Sequence, residues 1–146
     1  MGQDDKKPKW SLFQKFIVLA ICTPAVLFFV AQARNTSISE NPEAVAGLVA
    51  KKSNEQCPRM VDANTRLESA SSQGTTLINN YTVLNIDSNT FDLKANLEPV
   101  RARLIENYKS NPALSELRKR DIQIVHIYSD SHGLPLMTIS VSPRDF

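Results

Sequence analysis

The residues best equipped for chemistry lie near the C-terminal end, where "VHIYSDSHG" brings His126, Asp130 and His132 close together in sequence. Two imidazoles and a carboxylate are metal ligands, but a metal site wants three or four converging ligands with a supporting shell of hydrogen bonds, and the next ligand type, Cys57, lies far away along the chain. Cysteine, histidine and aspartate are also the parts of a nucleophilic triad, yet no local signature of a catalytic cysteine surrounds Cys57. "SDSHG" has a plainer chemistry as a turn: Asp130 and Ser131 bond to nearby backbone, Gly133 takes a positive φ, and His132 points to solvent. The turn is the reading adopted, and no catalytic residue, metal or cofactor is assigned. Asp62, Thr65 and Arg66 form a second polar group, of the kind that covers a solvated sheet face. The glycines (Gly2, Gly47, Gly74 and Gly133) are too scattered to cradle a phosphate.

Charge narrows the field further. Of 17 basic and 15 acidic residues, Lys6, Lys7, Lys9, Lys15, Asp4 and Asp5 precede an apolar run that starts at Phe16, which leaves 13 of each sign beyond it. A neutral body has no cationic surplus with which to release counterions from phosphates, so nucleic-acid binding is excluded.

The run itself is an export signal. "FIVLAICTPAVLFFVA" is followed by Gln32, Ala33 and Arg34. Residues 16–33 would span about 27 Å as a helix, most of a hydrocarbon core of about 30 Å. Ala31 and Ala33 also satisfy a signal-peptidase site, although Phe28 and Phe29 crowd it. We read 16–33 as a transmembrane anchor, with cleavage after Ala33 as the alternative. Four lysines before the run and Arg34 alone just after it orient residues 1–15 to the cytoplasm and the rest to the periplasm of a bacterial inner membrane. Lys6 spoils a myristoylation signal, and Ile21 before Cys22 suits lipid attachment poorly. Cys57 reads as a small buried hydrophobe.

Beyond the run, residues 34–56 read as a stalk with one short helix, in which Asn41 caps, Pro42 opens, and Ala44, Val45, Leu48 and Val49 form a narrow stripe. Residues 57–146 read as one α+β domain. Val61, Ala63, Thr65 and Leu67 alternate with polar residues as in a half-buried strand, "SSQG" turns the chain, and Leu77, Tyr81 and Val83 share a face of the next strand. Leu93, Leu97, Val100, Leu104 and Tyr108 recur at helical spacing after a start signal at Asn89 and Asp92, with Pro99 predicting a kink or restart. Asn111 and Pro112 open a short helix, and "IQIVHIY" and "LPLMTISV" form a closing hairpin. The order β-β-α-α-β-β is most simply satisfied by a four-stranded antiparallel sheet with both helices on one face. Its core would set Leu97, Val100 and Leu104 against Leu67, Val83, Val125 and Ile139.

"VDANTRLES", "SNPALSELRKRDIQIVHIYSDSHG" and "ISVSPRDF" together resemble a largely uncharacterised family of small exported bacterial envelope proteins, over residues 57 to 146. That resemblance implies an address and a fold, and no activity. Relatives often carry cysteines just before S-N-P and at the extreme C-terminus, where this chain has Lys109 and Phe146.

The function these observations suggest is a membrane-tethered periplasmic interaction domain without catalysis, held to the membrane by residues 16–33 and binding an envelope protein. The alternative is a released soluble periplasmic inhibitor or immunity-type protein. The last strand is either central and fully paired or at an edge, and at an edge it offers a binding row between Pro135 and Pro143 that includes Leu136, Thr138, Ser140 and Ser142.

Overall fold

The computed structural model describes residues 41–146. The expected cytoplasmic tail and the anchor at 16–33 lie outside the described residues, among which no helix is long and apolar enough to cross a membrane.

The fold is α+β, and its sheet departs from the expected one. Five strands lie in the order β1 (Arg59–Met60), β2 (Thr65–Gln73), β3 (Thr76–Val83), β4 (Gln123–Asp130) and β5 (Pro135–Val141). β1–β2, β2–β3 and β4–β5 are antiparallel, whereas β3 and β4 run parallel. The four-stranded antiparallel sheet is therefore corrected on two points. Arg59 and Met60 add a short edge strand opposite Leu67 and Arg66. The helices after β3 carry the chain back to the end from which β3 started, so β4 sets out in the same direction.

Three helices complete the domain: α1 (Pro42–Asn54), α2 (Leu93–Ser110) and α3 (Ser115–Lys119), the last preceded by a 3-10 turn at Pro112–Leu114. α1 starts where its signals put it, with the Asn41 side chain accepting the Glu43 N–H and Pro42 at the first helical position. It does not stand apart as a stalk. Val45, Ala46 and Ala50 are buried in the same core as the sheet residues. The Asn54 side chain at its end accepts the backbone N–H of Ala70 in β2.

α2 runs through Pro99 with no restart. Asn96, Val100, Leu104 and Tyr108 make one buried stripe on both sides of the proline, so packing holds the helix together there. Its cap is Asp92, which accepts from the Ala95 N–H, and Asn89 belongs to the preceding turn. Leu93 is exposed and Leu97 only partly buried, because the stripe contains a polar residue, Asn96, whose Nδ2 donates to the Asp92 carbonyl.

The rows of the sheet decide which side chains meet. Leu67, Tyr81 and Tyr128 are register partners on the face turned to the helices, as are Asn79, His126 and Ile139 two positions along. Val125 pairs with Ile78 and Ser140 on the opposite face, so its expected place in the core is corrected; Val83, Leu67 and Ile139 are buried as expected. In β2 the register slips between Leu67 and Ser69, leaving Glu68 as an extra residue and bringing Ala70 to the inner side. Val61 and Ala63 precede the strand, in a bend where the Asp62 carboxylate accepts the N–H groups of Asn64 and Thr65.

Candidate functional site

The residues singled out for chemistry are not gathered together. Asp130, at the end of β4, is buried at 1% exposure, and its Oδ1 accepts the backbone N–H groups of His132 and Leu134 at 2.8 and 2.9 Å while Oδ2 accepts that of Ser88 at 3.2 Å. Burial alone would raise its pKa, but these hydrogen bonds outweigh that and hold the carboxyl below its ordinary range. Gly133 has φ +81° and His132 is exposed, so "SDSHG" is a turn clamped by its own aspartate. Cys57, half-buried after α1, donates its thiol to the Ser53 carbonyl at 3.2 Å, and burial pushes its pKa up, away from a reactive thiolate. Among the described residues no three histidine, cysteine or acidic side chains converge as metal ligands.

The other polar residues of the sequence patterns also hold backbone. Arg118 donates to the carbonyls of Tyr108 and Asn111 at the end of α2. Asn111 caps the 3-10 turn through the Ala113 N–H. Asp145 accepts from Ser142 in a capping box and pairs with Arg101 of α2 at 2.7 Å, tying down the C-terminal segment. Each is a capping or turn group rather than a ligand.

What the fold builds instead is a groove between the helix-facing side of the sheet and the three helices, enclosing about 100 Å³. Leu67, Leu77 and Ile124 from the strands, and Leu104, Leu114 and Leu117 from the helical side, make its body apolar. One pole is polar, with Arg59 from the edge strand β1, Asn79 and Tyr81 from β3, and His126 and Tyr128 from β4. Tyr81 stacks on Tyr128 with ring centroids 5.0 Å apart and on His126 at 5.8 Å, a ladder that fixes the orientation of all three rings. Burial pushes the His126 pKa down to about 4 and raises those of both tyrosines, so the pole carries neutral rings at neutral pH. Two shielded polar atoms here, Arg59 Nε and His126 Nδ1, have no hydrogen-bond partner among the described residues.

Sequence reasoning named His126 but not its place, and missed Arg59, Tyr81 and Asn107 as groove residues. Arg59 lies in "CPRM", ahead of any recognisable alternation, and a two-residue strand has no periodicity to detect. The inward position of Tyr81 was legible in its phase with Leu77 and Val83.

The strand that carries Leu136, Thr138 and Ser140, with Ser142 just beyond it, stands at the end of the sheet. Leu136 is buried, Thr138 and Ser140 are exposed, and Ser142 caps the final 3-10 turn. An open depression beside this edge is lined by Leu97, Arg101, Thr138, Ser140 and Asp145 among others.

No protein-family model and no curated protein matches the chain. Solved structures share its fold. A candidate secreted protein of Pseudomonas aeruginosa aligns with a TM-score of 0.59 at 20% identity, over 72% of this chain and 92% of that one. The pilotin EpsS of the Vibrio vulnificus type 2 secretion system aligns at 0.58 and 12%, over 70% and 89%. The type II secretion system pilotin AspS of Vibrio cholerae aligns at 0.57 and 15%, over 80% and 99%. At these identities the likeness is one of fold.

Proposed function

We propose that this chain is a non-catalytic envelope adaptor of the pilotin kind, which receives an apolar segment of a secretion-assembly component in the groove between sheet and helices. The observation that carries this reading is the groove: an apolar body with an ordered aromatic pole at one end. The fold shared with two pilotins supports the choice of partner, and the apolar run at 16–33 supports a tethered, periplasm-facing placement.

A second reading is favoured by the position of β5 at the end of the sheet, where a partner strand would add along Leu136, Thr138, Ser140 and Ser142. Photo-crosslinking in intact cells separates the two. A benzophenone amino acid at Asn111, on the groove wall, should trap a secretion-system subunit, whereas one at exposed Ser71 should not. The same adduct from Thr138 but not Asn111 would favour strand addition, and no specific adduct from either position would refute the adaptor.

A further inference from the structure

Among the described residues, Arg59 is a cation in no salt bridge. It rises from β1 beside Leu67 at the edge of the groove, half-buried, with its Nε shielded and unpartnered. Of the carboxylates on the neighbouring stretch, Glu68 pairs with Arg66 at 2.7 Å, and Asp62 accepts two backbone N–H groups of its own bend through Oδ1, its Oδ2 being shielded and not hydrogen-bonded among the described residues. None of the ion pairs among the described residues includes Arg59. His126, across the same polar pole, holds a second shielded nitrogen without a partner. Shielded polar atoms left unpaired cost free energy, and a ligand that satisfies them recovers it.

The dimensions of the groove limit what enters. A cavity of about 150 Å³ lined by apolar side chains holds a molecule the size of benzene, so about 100 Å³ admits one side chain rather than a helix or a long acyl chain. The body that would receive it, Leu77, Leu117 and Ile124, is apolar.

Resting on the adaptor reading above, we infer that the partner segment is an acidic peptide that seats one apolar side chain in the groove and places a carboxylate, from Asp, Glu or a chain terminus, on Arg59 and His126. Arginine suits this role because its N–H groups form charge-assisted hydrogen bonds to carboxylate, about twice as strong as neutral ones.

The probes that test this are N-acetyl-leucine, which carries both groups, and N-acetyl-leucinamide, which lacks the charge. Each is titrated by methyl NMR into the full chain in detergent micelles, following Leu77, Leu117 and Ile124. The acid should shift these methyls and bind about tenfold more tightly than the amide, and Arg59→Met should erase the difference while both probes still bind. Equal binding of acid and amide by the native chain would overturn the carboxylate inference and leave the groove reading standing, as would a preference that survives Arg59→Met. If neither probe moves these methyls at millimolar concentration, both readings fall.

Discussion

Lys109 holds its ammonium 6.0 Å from the ring centroid of Phe146, the last residue of the chain, and the same ring meets Tyr108 edge-on at 6.3 Å. The end of α2 is thus in contact with the C-terminal segment. The Arg101–Asp145 ion pair ties the same two segments together about two turns earlier on the helix. Non-covalent contacts therefore hold the end of α2 to the C-terminal segment.

Lys109→Cys with Phe146→Cys should accordingly form a disulfide under oxidising conditions. The loop-entropy model puts its stabilisation at about 3 to 4 kcal/mol for a closure of this length. Peptide mapping by mass spectrometry checks the bond, and the shift of the denaturation midpoint between oxidised and reduced protein checks the magnitude.

Tyr108 is buried at 1% exposure and its hydroxyl donates to the Ile122 carbonyl at 2.5 Å, with burial pushing the phenol up to about 12. Tyr108→Phe leaves that carbonyl without the phenol and should destabilise the domain by about 1 to 3 kcal/mol, read from equilibrium unfolding in urea. An unchanged midpoint would mean that the hydrogen bond contributes nothing net.

Leu104 is 4% exposed in the middle of the α2 stripe, and Leu104→Ala should cost about 2 to 5 kcal/mol. Val125→Thr, on the opposite face of the sheet, should cost less than about 1 kcal/mol. The contrast tests the assignment of faces, and a reversed order would show that the helices cover the other side.

His126 has its pKa depressed by burial from 6.5 to about 4. Between those values the unfolded chain binds a proton that the folded chain refuses, so stability is complete above about pH 6.5 and declines toward pH 4, at no more than about 1.4 kcal/mol per pH unit. Glu116, held down by hydrogen bonds from Lys119 and Arg120, and Asp130, whose backbone bonds outweigh burial, add losses only as the pH falls through the lower carboxylate range. His126→Phe, which keeps an aromatic ring beside Tyr81 and Tyr128, should flatten the profile between pH 6.5 and 4. Urea unfolding at several pH values measures it, and an unaltered slope would assign the acid sensitivity elsewhere.

What the sequence by itself determined was local. Asn41 before Pro42 and Asn111 before Pro112 placed two helical starts, Gly133 after Asp130 placed a turn, and the spacing of Val100, Leu104 and Tyr108 set the buried stripe of α2. In each case a cap, a positive φ or a helical period is satisfied within a few residues, so the signal lies where the structure forms. The tertiary structure alone decided that β3 and β4 run parallel, that β5 ends the sheet, that α1 packs into the core, and that Glu68 bulges out of register. It also decided that Arg59 shares a groove with His126. Alternation tells a strand which of its residues share a face, but neither which strand lies beside it nor which face the helices cover. Those choices depend on the path of the intervening chain and on burying one shared core, and residues as distant as 59 and 126 have no local term that records them.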